Sequence, residues 1–457
     1  MHTQHGRGRW LLLTTLLAFT GLVLPLRGWA LDLAEAWQLA LQNDAHYAAT
    51  GHARQAEQEI VPQARAQMLP FITASAGAEA DDTRRTRSLS DRHGSTRALW
   101  SLSLTQPLAD VTAWRSLERA KTIARAADIS HTQSRQQLIL RVAQAYFNIL
   151  KAQDNLDALL AEKKAIQAQL QAAQQGFALG STTITDTHEA QSRLDLLRAR
   201  EFEATNAVQV SQQVLSTIIN RYPDTLAELP STAALAPPEP NRLDDWTNQA
   251  ADTGLNVVLA QLQTQIIASQ RDIAKSRHYP QLHLEARTGS MSDRGMRGVR
   301  PDPGPRSLDS SVGIVLSLPI YTGGQLSSEV REQSSRLQQS RAELEAARRL
   351  ARQSTQEHFS GVTSGLARID ALQAAEQSSR SAVEANQLAY EVGVRINIDV
   401  LNAQQQLYET RRQLSEARYD TLLHSLELKA STGTLNDNDL YAINAMLTTP
   451  DPNHQTD

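Results

Sequence analysis

Leu138-Ile-Leu-Arg-Val142-Ala-Gln-Ala145-Tyr-Phe-Asn-Ile149-Leu-Lys-Ala152 opens a row of positions that continues through Leu156, Leu159, Lys163, Ile166, Leu170, Ala173 and Phe177. Steps of four and three alternate along the row, the heptad seam of a helix lying on another helix. Only Lys163 breaks its apolar character. Ala145, Ala152 and Ala173 favour close helix packing over a thick leucine zipper. A soluble two-helix coiled coil fits this segment alone equally well, so its surroundings must decide.

Those surroundings are unusually free of helix breakers. All sixteen prolines avoid two tracts, Pro107 to Pro223 and Pro319 to Pro450, and inside the first the only glycines are Gly176 and Gly180. Proline costs a helix interior about 3 kcal/mol and glycine about 1 kcal/mol. The tracts therefore read as long helices interrupted at the glycines, the first running from about Asp110 to Phe177. At about 1.5 Å per residue such a helix reaches roughly 100 Å.

Four shorter segments alternate with period two, as strands with unlike faces do. Their apolar positions are Ile72, Ala74, Ala76 and Ala78; Ala98, Trp100, Leu102 and Leu104; Leu282, Leu284 and Ala286; and Val312, Ile314, Leu316 and Leu318. Polar or small residues, such as Thr73, Ser103, Arg287 and Gly313, take the opposite faces. A charged stretch from Asp81 to Thr96 and a Gly/Pro-rich stretch from Thr288 to Asp309 are expected to be long loops, giving two hairpins.

The plan repeats. Pro107 precedes Pro319 by 212 residues, Phe147 precedes Phe359 by the same shift, and Gly180 precedes Gly393 by 213. This implies two copies of one hairpin-plus-helices unit. The expected division is a signal peptide over 1–30, a first repeat over 31–240, a second over 241–434 and a C-terminal tail over 435–457. Pro223 to Pro240 is expected to be a surface linker between the repeats.

Arg7 and Arg9 precede an apolar run from Trp10 to Leu24 and the small-x-small site Gly28-Trp29-Ala30, which predicts export and cleavage after Ala30. Loss of three arginines moves the formal net charge from −4 to −7. That balance argues against nucleic acid as a partner. Cysteine is absent, which excludes disulfides, thiolate metal sites and a lipidated cysteine anchor. Membrane attachment must then come from folded structure. In a bacterial envelope, two-faced strands read as barrel strands with lipid outside and a polar lumen inside. No backbone group in hydrocarbon can stay unpaired, so the sheet must close, and four strands are too few when single-chain barrels begin at about eight. Several chains must share one barrel, unless the strands form a soluble sheet against a helix layer.

Together these features resemble the TolC family of outer-membrane export channels over nearly the whole mature chain. The most specific stretches are Tyr390-Glu-Val-Gly-Val-Arg395-Ile-Asn-Ile-Asp399-Val-Leu-Asn402, Ala417-Arg-Tyr419, Lys429-Ala-Ser-Thr-Gly433-Thr-Leu-Asn436 and Ser317-Leu-Pro-Ile-Tyr321-Thr-Gly-Gly324. In the first copy, Phe177-Ala-Leu-Gly180-Ser-Thr-Thr-Ile-Thr185-Asp186 matches. The resemblance implies a mixed membrane protein: a homotrimer whose chains each give four strands to a β-barrel that continues into a long periplasmic α-helical barrel, closed at its far tip. It also implies tip turns at Gly180 and Gly393, polar links from Thr185 and Asp186 to Tyr390 and Arg395, and a constriction at Asp399 whose second acidic position is here Asn402. A local reading competes at the links. Asp186 stands three residues before Glu189, a capping-box spacing, and Asp399 lies where a helix should start.

No HExxH, phosphate loop or GxSxG sequence supports an enzyme, and no catalytic, metal or cofactor site is expected. His188 reads as a solvated helix residue. The rival function is a soluble periplasmic coiled-coil scaffold or adaptor. Family resemblance implies outer-membrane lipid, a periplasmic adaptor (membrane fusion protein) and an inner-membrane ABC or proton-driven transporter as partners. Drug efflux and type I protein secretion both remain open.

Overall fold

The computed structural model describes residues 30–84, 92–223, 225–297, 300–302 and 306–448. The proposed signal segment lies outside them, apart from Ala30. Asp32 caps helix α1 (Leu33–Asn43), accepting from the Glu35 amide at 2.7 Å. Helices α2 (Ala45–Gln58) and α3 (Ile60–Ala66) follow and lead into strands β1 (Phe71–Arg84) and β2 (Arg92–Ala109). Asp110 then accepts from the amides of Thr112 and Ala113, at 2.7 and 3.1 Å, and starts α4 (Val111–Ala178). This is the helix expected from the missing breakers, within one residue at each end. The chain returns in α5 (Ile184–Ile219).

The second half keeps the same order. Helices α6 (Leu243–Thr253) and α7 (Leu255–Ser276) precede β3 (Gln281–Arg297), β4 (Arg300–Asp302) and β5 (Arg306–Ser317). Then come α8 (Gln325–Glu391), α9 (Asn397–Ser431) and α10 (Asp437–Asn444). Among the described residues no helix is long and apolar enough to cross a membrane.

The sheet is antiparallel in the order β1-β2-β3-β5, with β4 a short pairing at the far end of β3. Register places Ile72, Leu104, Ala286 and Val312 in one row, and Thr73, Ser103, Arg287 and Ser311 in the next. The four alternating sets therefore share one face, and the chain leaves it uncovered: Ile72 is 61% exposed, Val312 77% and Leu316 67%. Hydroxyl pairs Ser75–Ser101 and Thr288–Ser310, each 2.8 Å apart, join strands on the sheet.

Three expectations are corrected. Much of the two polar stretches, 81–96 and 288–309, is strand, because β1 runs to Arg84, β2 starts at Arg92, β3 reaches Arg297 and β5 starts at Arg306. A ladder of backbone hydrogen bonds continues where side-chain alternation has ended. The stretch after Pro223 is not a loose surface linker, since Leu226, Ala227 and Leu229 are buried. Its backbone pairs with Leu31 and Thr448, and the Pro230 carbonyl accepts from Arg418 at 2.6 Å. The segment after 434 carries α10, which buries Leu440 and Ile443 against the core.

That core lies where α4, α5, α9, α1 and α10 meet. Trp37, Leu138, Val142, Tyr146, Phe147 and Ile149 are fully buried there beside Leu215, Ile219 and Leu426. Phe147 stacks on Tyr419 at 5.6 Å, and the Tyr146 hydroxyl donates to the Ala227 carbonyl at 2.8 Å. Burial pushes the Tyr146 phenol far above its ordinary range, so it remains a neutral donor. Along the seam Lys163 is accommodated by a 2.6 Å ion pair with Glu201 of α5, while Phe177 stays half exposed.

Candidate functional site

Helices α4 and α8 both start beside the sheet and have 68 and 67 residues, so their far ends lie at one level. Each turns back through a glycine. Gly180 has φ 74° and Gly393 φ 75°, the left-handed region where a Cβ is strained. In the first turn the Gly180 amide donates to the Phe177 carbonyl and the Ser181 amide to that of Gly176. In the second, the amides of Gly393 and Val394 donate to the carbonyls of Tyr390 and Ala389.

Thr183 caps α5 and forms a capping box with Asp186, whose carboxylate accepts from the Thr183 amide at 3.0 Å and hydroxyl at 2.9 Å. The box is thus Thr183–Asp186, not Asp186–Glu189; the helix starts earlier because its threonine supplies the cap. Thr185 is exposed at the same end. On the other turn Arg395 pairs with Asp399, at 3.3 Å, in the first turn of α9. Tyr390 is half-buried; burial and then the nearby Asp186 charge raise its phenol above the ordinary range. The Asp186 charge thus acts on Tyr390 from the other turn, whereas Arg395, which precedes α9, pairs with a residue of its own turn-and-helix segment.

The two turns are held together by a residue that the sequence did not mark. Asn397 is fully buried, accepts from Gln169 of α4 at 2.5 Å and donates to the Asp186 carbonyl of α5 at 3.2 Å. Ile166, Leu170, Leu194, Leu197 and Leu401 pack just beyond it. A second unmarked contact comes from Arg193, which donates to the side-chain amide oxygens of Asn402 at 2.5 Å and Gln405 at 2.8 Å. The only signal for Gln169 is its place between seam positions Ile166 and Leu170, and no pattern in the sequence singles out Asn397. The arrangement offers fixed charges and hydrogen-bonding groups at a helix reversal.

The sequence profile of the outer membrane efflux protein family matches residues 36–221 and 246–434. The chain belongs to that family. The outer membrane protein TolC of Vibrio cholerae is 31% identical over 421 residues, 92% of this chain and 94% of the relative. The alkaline protease secretion protein AprF of Pseudomonas aeruginosa is 29% identical over 443 residues, 95% and 91% of the two chains. The crystal structure of the CmeC outer membrane channel of Campylobacter jejuni superposes with a TM-score of 0.75 at 15% identity, covering 91% of this chain and 89% of that one. This efflux protein accordingly has the fold of a trimeric outer-membrane channel, one chain giving four strands and a share of a helical barrel. It is a channel and not an enzyme, seated in the outer membrane with a large periplasmic helical part. Nothing supports the soluble scaffold or adaptor.

Proposed function

We propose that this efflux protein is the passive exit duct of a tripartite drug-efflux pump and of a type I secretion system. It works as a homotrimer with a periplasmic adaptor and an inner-membrane ABC or proton-driven transporter. The carrying observation is one sheet with an uncovered apolar face joined directly to helices about 100 Å long, a path from lipid to deep periplasm. The secretion half rests on likeness to AprF, which is named for alkaline protease secretion.

In this reading Gly180 and Gly393 make the turns of the closed tip, and Thr185, Asp186, Tyr390 and Arg395 supply its links. Arg395 keeps 57% of its side chain exposed while paired to Asp399, so its remaining donors can reach an acceptor on the neighbouring chain. Three Asp399 carboxylates then form the single acidic ring of the constriction, with Asn402 one turn deeper. Single-channel recording in planar bilayers tests the latch. Arg395→Ala should raise closed-state conductance several-fold and increase antibiotic leak into cells; unchanged conductance would remove Arg395 from the gate.

A further inference from the structure

Away from the turns, His358 on α8 faces His424 and Glu427 on α9. His424 and Glu427 are three residues apart and so share a helix face. Both imidazole Nδ1 atoms lie 3.0 Å from Glu427 Oε2, and one ligand atom from each residue falls within 4.8 Å of the others. A tetrahedral Zn²⁺ with bonds of about 2.0–2.1 Å holds neighbouring ligand atoms about 3.3 Å apart. Small side-chain rotations close that triangle.

Three further observations point the same way. His358 Nδ1 is buried and stands 3.0 Å from Glu427 Oε2 without meeting the angle of a good hydrogen bond, whereas His424 Nδ1 meets it on the same oxygen. A buried ring nitrogen held against a carboxylate without a well-formed hydrogen bond suits a metal ligand. The His424 ring lies against Gly361 of α8, where a Cβ would stand 2.7 Å from it, so only glycine leaves room for the imidazole. Finally, His358 and Glu427 border a cavity of about 530 Å³ reaching Gln133 of α4 and Asn256 of α7, which leaves space for water as a fourth ligand.

We propose that His358, His424 and Glu427 bind a divalent transition ion that clamps α8 to α9. Two imidazoles and one carboxylate favour zinc-like ions over calcium or magnesium, which take oxygen ligands. Full-length protein in detergent, free of affinity tag and washed with chelator, would be titrated calorimetrically with Zn²⁺, and with Co²⁺ for its tetrahedral absorption. One ion per chain is expected. His358→Gln, His424→Gln and Glu427→Gln should each weaken binding by at least about tenfold, since even lost outer contacts cost that much. His188→Gln, at an exposed helix position, should bind as wild type does. Zn²⁺ should raise the Tm of wild type and not that of His358→Gln, and the two metal-free proteins should melt alike, which separates lost ligation from misfolding. Equal Zn²⁺ affinity in wild type and the three ligand variants, or no tetrahedral Co²⁺ signal, would overturn the site.

Discussion

At the scale of single residues, sequence position gave little hint of how polar groups are shared. Asp44 ends α1 and caps α2, accepting from the Tyr47 amide at 2.6 Å and from both Arg141 terminal nitrogens at 3.0 and 3.1 Å. Burial works against its ionisation, but the Arg141 and Tyr47 hydrogen bonds outweigh it and hold the carboxyl below its ordinary value. A depressed folded value means stability that is present above the ordinary carboxylate range and lost as pH falls through the folded value. Asp44→Asn should therefore cost about 1–2 kcal/mol at pH 7, Arg141 being partly exposed, seen as a lower melting midpoint by circular dichroism. The gap should narrow in acid below about pH 4; a constant gap would show that charge is not the cause. Arg193 matters in the same way for Asn402. Asn402→Asp would create an ion pair with Arg193 and add little cation selectivity, whereas Asn402→Asp with Arg193→Gln should shift the reversal potential clearly toward cations. Equal shifts in the two variants would show that Arg193 does not screen the position. Gly180 and Gly393 were legible as breakers in otherwise unbroken tracts, but the Gln169–Asn397–Asp186 bridge was not, because each partner comes from a different helix.

Among elements, what was legible follows from period. The seam of α4 repeats every three or four residues and the membrane-facing part of each strand every two, so both appear without a structure. The outer parts of β1, β2, β3 and β5 are pairings of backbone, and no side-chain pattern announces them. The joint between the hairpins is the β2–β3 pairing, and Gly289 sits in it opposite Ser101. A Cβ at Gly289 would lie 2.7 Å from the Trp100 carbonyl oxygen, whereas Gly313 on β5 has nothing within 4 Å. Gly289→Val should cost about 1–3 kcal/mol by overpacking and reduce the heat-resistant oligomer on unboiled gels. An unchanged oligomer in Gly289→Val would mean that the joint tolerates the side chain.

For the whole molecule, closure of the sheet is the decisive question. Within one chain β1 pairs only with β2, and β5 pairs with β3, so both outer edges are open among the described residues. An open edge is untenable in hydrocarbon. The absence of cysteine makes a clean test available. Thr73→Cys on β1, combined in turn with Ser311→Cys, Gly313→Cys or Val315→Cys on β5, should give disulfide-linked dimers and trimers on oxidation in membranes. Monomer alone in every combination would rule out edge-to-edge closure between chains. The amino-acid sequence by itself determined the long helices, the two-faced strands, the repeat and the family, because each is written in local periodicity or contiguous motif. Tertiary structure alone decided that the stretch after Pro223 is buried, that α10 completes the core and that Asn397 joins the two turns. Those outcomes depend on which distant groups meet, and a buried amide or carbonyl shows its partner only when the chain has been brought around to it.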